Sequence, residues 1–440
     1  MHCERNLLNE LPALIMSSTE QSETASQEAR DFLLLAKKAV LSLGSLKLAS
    51  ILLLLLLLLT WFSTLEQVVS GLYPMLEKYF SPKSFFIYPE IGRPFQEEGE
   101  AFESIRVRIP LPGGYWVCVL FTINLIIGGL VRIKKSAKKT GIILSHFSIV
   151  FLMISAAVTQ RFEKRGAMVL YEGEISNVAT MYHNQVIEVT ELENGKPVKV
   201  HQIPWEQLKK LRSGKQKTYT MVNLPFDIRV DKFYENATPL SANFFPPSPE
   251  SRAEIRGGFY LQEDPPMEST ELHQGAAAVT ILSKDKKVIQ KELLAMKSYY
   301  PASLMYQGKT YSLEIRKEFL QVPFKLRLDK FSFDTDPGTS RAAAFESDVT
   351  RFGKAGEERY EIVMNQPLRH DGWVFFQARY SEEPRVPGGQ PEFHTILEVV
   401  NNPSDQWPKY TLYLSTVALI GHFLVMLVKF SIRSYSPSKS

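Results

Sequence analysis

A chain of 440 residues is too long for one ordinary domain, and 45% hydrophobic with 22% charged residues is close to the average of soluble proteins. The formal net charge of +4 is small, and no basic run interleaved with aromatics points to nucleic acid. The two cysteines, Cys3 in an amino-terminal tail and Cys118 in an apolar run, form no CxxC, zinc spacing or CxxCH, which leaves the rest of the chain without disulfide or dithiol chemistry.

The averages hide a segregation of apolar residues towards the start and the very end. Residues 1–47 read as a polar tail, rich in Ser and Glu to about residue 36 and expected to be disordered there. Residues 48–65, with the unbroken leucines Leu52 to Leu59, predict an uncleaved first span, since roughly 18 to 20 apolar residues cross a bilayer. Residues 66–114 form a loop whose aromatic stretch, from Leu72 through Phe80 to Phe85, Phe86 and Tyr88, suits the headgroup layer. Pro110 to Gly114 turn the chain into a second span, 115–131, interrupted by Asn124, Gly128 and Gly129. A basic loop, 132–140, leads to a third span at 141–159, and a fourth is predicted at 410–432 before a short tail, 433–440.

Charge orients these spans. Lys37, Lys38 and Lys47, then Arg132 to Lys139, then Lys429, Arg433 and Lys439 all fall on one side if every span crosses. By the positive-inside rule both termini are cytoplasmic, and residues 160–409 form a domain outside the cytoplasm.

From Gly166 the apolar residues alternate, as strands require. Val186 to Leu192 and Pro197 to His201 flank Asn194-Gly195, a hairpin signal, and Ala278 to Leu282 with Lys287 to Gln290 read the same way. Leu224-Pro225-Phe226-Asp227-Ile228-Arg229-Val230-Asp231-Lys232-Phe233 recurs at Val322 to Phe331 with six identities in ten positions. Lys-Thr-Tyr precedes each copy, at Lys217 and at Lys309. The expected fold is therefore an integral membrane protein of about four transmembrane helices with a large all-β extracytoplasmic domain. An internal duplication is predicted in that domain, with units at about 166–245 and 276–400. The shared Arg and Asp read as a cross-strand ion pair on a solvated face. Asp371-Gly372 predicts a late hairpin turn, and nothing has the spacing of a catalytic triad, a carboxylate pair or a phosphate loop.

Several short marks, in order around the spans, resemble ResB, the CcsB-like family of system II cytochrome c maturation. They are Ser63-Thr64-Leu65-Glu66-Gln67 with Gly71-Leu72-Tyr73, Ile109 to Tyr115, Ser145-His146-Phe147, Tyr171-Glu172-Gly173-Glu174, and the Asn365 to Gly372 hairpin ending in Phe376-Gln377. The resemblance implies a non-catalytic subunit of a haem-lyase complex in a bacterial cytoplasmic membrane, carrying haem b in transit. It implies a CcsA-like membrane partner, apocytochrome c and a thiol-reducing thioredoxin-like protein as associates, beside the lipid bilayer. The five tryptophans are scattered, so no CcsA-like tryptophan-rich segment is fused to this chain. His422 in the last span departs from many relatives.

An ionisable residue inside a span is a functional candidate, and His146 and His422 are the two intramembrane histidines of eight in the chain. His146 lies about five residues, roughly 8 Å at 1.5 Å per residue, from the cytoplasmic end of its span, and His422 about ten residues from the end of its own. A neutral imidazole can ligate haem iron. His146 is thus the candidate iron ligand and His422 a possible second. His183, His201, His273, His370 and His394 fall on strands or turns, where a ligand role is disfavoured. The alternatives are a scaffold whose outer domain docks apocytochrome or a thiol reductant without touching haem, and a cytochrome b-like oxidoreductase subunit. The latter needs histidine pairs on its spans, and this chain has one per candidate span.

Overall fold

The computed structural model describes residues 30, 32–92, 104–212, 214–248, 252, 254–264, 270–298, 300–338, 342–353, 356–386 and 389–435. Among these, four helices are long and apolar enough to cross a membrane: Leu46–Val68, Gly114–Val131, Ala137–Phe162 and Trp407–Ile432, with mean hydropathies of 2.4, 2.0, 2.2 and 2.0. The chain is a membrane protein. Large side chains such as Leu53, Leu57, Phe423 and Leu427 stand exposed on these helices, as a lipid-facing surface requires.

The first and fourth helices outrun their apolar stretches. Helical bonding in the first continues to Ser70, until Gly71, in the left-handed conformation at φ 79°, ends it. A second helix, Leu72–Phe80, follows at once. The second span is α-helical over Gly114–Leu125 and becomes a π-helix over Ile126–Val131, where Gly128 and Gly129 lie. The third span runs Thr140–Phe162 and the fourth Trp407–Tyr435. One difference from the sequence reading precedes the first span. Residues 32–43, rich in the helix formers Leu, Ala and Lys, are helical rather than part of a polar tail. The expected disorder of residues 1–29 and 31 lies outside the described residues.

The chain divides into two compact units, one of Met1–Leu65, Leu76–Val158 and Ser404–Ser440, the other of Glu66–Met75 with Thr159–Pro403. The first unit holds the four spans and two small hairpin pairs, β1 (Phe86–Ile87) with β4 (Leu111–Pro112) and β2 (Glu90–Gly92) with β3 (Ser104–Arg106).

The second unit is built of strands. In chain order they are β5 (Lys164–Tyr171), β6 (Ile175–Glu193), β7 (Lys196–Ile203), β8 (Lys217–Thr220), β9 (Phe226–Tyr234), β10 (Ala237–Ser241), β11 (Phe259–Glu263), β12 (Ala276–Ser283) and β13 (Val288–Ala295). There follow β14 (Ala302–Tyr306), β15 (Lys309–Thr335), β16 (Ala342–Gly353), β17 (Gly356–Val363), β18 (Leu368–His370), β19 (Trp373–Pro384) and β20 (Pro391–Asn401). The expected hairpins form. Asn194 and Gly195 take φ 53° and 75° between β6 and β7, and Asp371 and Gly372 take 48° and 76° between β18 and β19.

Two sheets carry two cores. The smaller runs β13-β12-β9-β8, and the larger runs β17-β16-β15-β6-β5-β20-β19-β18 with β7 and β14 attached. The first core gathers Ile187, Phe226, Ile228, Val230, Val279 and Tyr311, and the second gathers Leu170, Phe324, Leu326, Val349, Phe375 and Leu397. β6 and β15, long strands paired antiparallel, feed both cores. This pairing cuts across the predicted units 166–245 and 276–400. β12 pairs with β9 of the first copy, while β5 joins the core of the second. A strand of 27 residues can serve two cores, and the sequence alternation alone does not reveal where one ends.

Candidate functional site

The two intramembrane histidines are built differently. His146 Nδ1 lies 2.8 Å from the carbonyl oxygen of Ile142, one turn back in the third span. A carbonyl can only accept, so Nδ1 carries the proton and Nε2 keeps the lone pair, the tautomer of a ligating imidazole. The ring lies against Gly129. A Cβ there would fall 2.1 Å from His146 Cδ2, so only glycine admits the ring. Ser145 and Ser148 bond back to carbonyls of their own helix, which lets both sit in the span without unpaired hydroxyls.

His422 lies on the fourth span where it crosses the third. A Cβ on Gly141 would fall 2.7 Å from both His422 Cβ and the carbonyl oxygen of Ala418. The two spans stay together towards their other ends. Phe151 and Trp407 stack at 5.1 Å, and Ser404 Oγ donates to the carbonyl of Ser155 at 3.2 Å. His422 Nδ1 is buried and has no hydrogen-bond partner. That is an orphaned polar atom in an apolar setting, which costs stability unless something meets it.

Gly141 and His146 are five residues apart, which at 100° per residue places them roughly 140° apart around the helix and about 7.5 Å along it. His146 therefore faces the second span, and the face that meets His422 points elsewhere. The two rings share no contact among the described residues. The structure places both predicted site residues within the span bundle and sets them on different helix seams.

Behind Gly129 stands a polar knot that sequence reasoning missed. Asn124, buried in the second span, donates from Nδ2 to the carbonyls of Leu43 at 2.5 Å and Ser45 at 3.1 Å. Arg132 Nη1 donates to those of Leu41 at 3.0 Å and Gly44 at 2.9 Å. The carbonyls of Leu41, Leu43 and Gly44 lie at the end of helix 32–43, where helical partners run out, and that of Ser45 also accepts from Ala49 N–H. Gly44 and Gly128 touch through backbone, since a Cβ on Gly128 would lie 2.8 Å from the Gly44 oxygen. The π-helical segment is thus held on one side by this elbow and backs His146 on the other. Asn124, Gly128 and Gly129 were visible only as interruptions of an apolar run, and Arg132 only as a topological charge.

The histidines of the β-rich unit have other occupations. His183 stacks on Tyr73 with ring centroids 4.0 Å apart, and burial, then Lys317, then His273, lower its pKa to about 4. Lys317 itself, half-buried and donating to the carbonyl of Tyr182 at 2.6 Å, is lowered to about 8 by desolvation. His370 sits beside Asp371 at 3.2 Å in its turn, and His394 packs against Tyr171. Among the described residues no group of three or more His, Cys, Asp or Glu side chains could hold a metal ion.

Residues 298–403 match the family model described as the ResB-like family. Over these residues the chain is similar to the ResB-like family. That family is associated with cytochrome c biogenesis, and its members are generally non-catalytic. No curated protein matches this chain. The matched residues span β14 to β20 and so build most of the second core. The spans and both intramembrane histidines lie outside the match.

Proposed function

We propose that this ResB-like chain handles haem during system II cytochrome c maturation, with His146 receiving the iron of a haem b in transit across a bacterial cytoplasmic membrane. The observation that carries the reading is the setting of His146. The Ile142 carbonyl fixes the Nδ1 proton, Gly129 leaves room for the ring, and Nε2 keeps the lone pair that a ferrous or ferric iron takes. Haem is cargo here rather than a resident cofactor. His422, with its unpartnered Nδ1, is a further residue able to meet an incoming polar or metal group. Because it faces a different seam, the second axial ligand at His146 falls to another chain, a CcsA-like partner. In this scheme both termini and the basic loop 132–140 are cytoplasmic. The β-rich unit is extracytoplasmic, where it meets apocytochrome c and a thioredoxin-like thiol reductant.

The test is the visible spectrum of the protein purified with its CcsA-like partner. His146→Ala should lose or shift the haem signal while expression and assembly hold. An unchanged haem content and spectrum in that variant overturns the assignment. His422→Ala separates the second histidine, since a change there alone transfers the ligand role to it. One observation favours a second reading: the family match covers strands alone. A scaffold that docks apocytochrome or a reductant through its β-rich unit predicts a colourless complex, so the same spectrum decides between the two.

A further inference from the structure

The inner face of the larger sheet changes character along its strands. β15 and β16 meet β19 and β20 across the second core. Ser347, Gln377 and Thr395 hydrogen-bond to one another there at 2.7, 3.0 and 2.9 Å, fully buried between the two halves. On one side of this polar tie lie the aliphatic core residues Leu326, Leu328, Val349 and Leu397. On the other side aromatic rings gather. Phe331 lies at their base, 8% exposed, and Phe333 and Phe393 stand at the open end, 36% and 39% exposed.

The rings form one continuous cluster. Phe333 and Tyr380 stack at 5.3 Å and 19°, Phe331 and Phe333 each touch Tyr380 and Phe393, and Phe345 meets Tyr380 at 5.4 Å. Two bulges aim them inward. The register slips at Asp329 in β15 and at Ala378 in β19, so Phe331, Phe333 and Tyr380 keep the inner face that Leu328 and Gln377 occupy below them. The sheet is open beside them, because β17 and β18 are its two ends and do not pair with each other, and the bridge between Val363 and Gln366 only closes the turn after β17. A cleft of about 390 Å³ adjoins the opening, lined by Phe333, Phe345 and Met364 with Asp334 and Glu346 beside them.

Charge decides what such a mouth takes. The described residues on the strand ends and turns around it include six carboxylates, Asp334, Asp336, Glu346, Glu382, Glu383 and Glu392, against Arg385, which pairs with Glu392 at 3.3 Å. Glu383 and Glu392 are directly opposed across β19 and β20, and Arg385 meets only Glu392, at 3.3 Å, so a further cation relieves the remaining repulsion. Aromatic faces with carboxylates at the rim attract cations twice over, through the ring quadrupole and through charge.

We propose that this mouth is a docking site for a basic polypeptide segment that inserts an aromatic or large apolar side chain among Phe333, Phe345, Tyr380 and Phe393. The inserted side chain covers rings that water now touches, and flanking lysines or arginines meet the six carboxylates. The proposal does not depend on the histidines, because peptide docking needs no haem and either reading can fail alone.

The experiment uses the full chain in nanodiscs of zwitterionic lipid, with empty discs as control, and fluorescence anisotropy of a labelled peptide alternating lysine and tryptophan. Saturable binding is expected that weakens with salt. A lysine–alanine and a glutamate–tryptophan peptide should each bind at least tenfold more weakly. Phe333→Ala with Phe393→Ala should cost tenfold or more in affinity. Glu382→Gln with Glu383→Gln and Glu392→Gln, all at exposed strand ends, should cost as much and flatten the salt dependence. The carboxylate variant keeps the test decisive where the ring variant fails to fold. Equal binding of the glutamate peptide, or unchanged affinity in the carboxylate variant, overturns the proposal. So does displacement of no peptide together with saturable binding of ferric protoporphyrin at the same rings, which would assign the mouth to a flat macrocycle.

Discussion

Asp231 and Asp329 occupy the same bulge in two different sheets. In β9 the register with β12 passes from Val230 opposite Val279 to Lys232 opposite Ala278, and Asp231 has no partner. In β15 the register with β16 passes from Leu328 opposite Val349 to Lys330 opposite Asp348, and Asp329 has none. Arg229 and Arg327, two residues earlier, each donate from Nε to their aspartate at 2.6 Å. Thr280 and Thr350, each directly across from that arginine, each donate to the second carboxylate oxygen at 2.5 Å. The threonines lie outside the ten-residue repeat, so their agreement is independent of the sequence match. Phe226 and Phe324 are both buried in their strands, as equivalent core positions should be. The ion pair runs along one strand rather than across two, because the bulge turns the carboxylate back towards its own arginine.

The shared bulge predicts paired but unequal effects of mutation. Burial alone would raise the Asp231 carboxyl, but hydrogen bonds from Thr280, Arg256 and Arg229 outweigh it and hold its pKa below the ordinary carboxylate value. Asp329 is lowered in the same way by Thr350 and Arg327 and is the more exposed of the two. Asp231→Asn should cost about 1 to 3 kcal/mol, since it leaves Arg256 and Arg229 without their anion, and Asp329→Asn should cost less. A depressed carboxylate stabilises the fold above its unfolded pKa near 3.9, and that contribution is lost as pH falls through the lower folded value. Thermal melts of the two variants should therefore lose part of the wild-type decline below about pH 4. Equal and negligible losses would show that the bulge tolerates an uncharged amide.

Much of this architecture was legible in the sequence, and the exceptions share a cause. The leucines from Leu52 to Leu59, the Asn194-Gly195 and Asp371-Gly372 turns and the repeat ending at Phe233 and Phe331 are local signals, and local signals survive reading along one chain. The elbow at Gly44, the capping role of Arg132 and the stack of Tyr73 on His183 join residues 80 to 110 positions apart, which no periodicity encodes. The candidate site divides the same way. An intramembrane histidine announces itself by its cost, whereas the seam that it faces depends on where Gly129 and Gly141 meet other helices.

His183 and Lys317 predict a pH dependence of their own. The unfolded chain protonates a histidine near pH 6.5, while the folded His183 takes a proton only near pH 4, because burial and the neighbouring Lys317 oppose its charge. Between those values the unfolded chain binds more protons, so stability should fall as pH is lowered from about 6.5 to about 4, by about 3 kcal/mol at most. His183→Phe keeps a ring for Tyr73 and should remove that slope in a melt series. Lys317→Met should shorten the slope at its acid end by easing protonation of the folded His183. A slope unchanged in His183→Phe would assign the window to other groups.

Orientation is testable without function. Reporter fusions after Lys135 and after Ser440 should read cytoplasmic, and fusions near Gly195 and Asp336 should read extracytoplasmic. The three basic clusters motivate this together, since reversing one crossing would put lysines on both sides. Arg132 is partly withdrawn from that count by its bonds to Leu41 and Gly44, so Arg132→Gln should weaken the elbow without inverting the topology. A single reversed reporter breaks the four-span arrangement.

The last prediction joins the two seams. Gly129→Ala places a methyl group 2.1 Å from His146 Cδ2, a separation that no adjustment of the methyl itself can relieve, so the ring or the second span must move. The span is tied by Asn124 and Arg132 to the elbow at Gly44, which makes the ring the softer element. Turning it breaks the Nδ1 bond to Ile142 and misaims Nε2. The expected result in the complex with a CcsA-like partner is a shifted haem spectrum and weaker haem retention at near-normal expression. Gly141→Ala is the matched control. It presses on Ala418 and His422, where backbone meets backbone, so it should loosen the fourth span and lower thermal stability while leaving the His146 spectrum in place. If Gly141→Ala alters the haem spectrum and Gly129→Ala does not, iron lies on the seam of His422, and the order proposed for the two histidines is reversed.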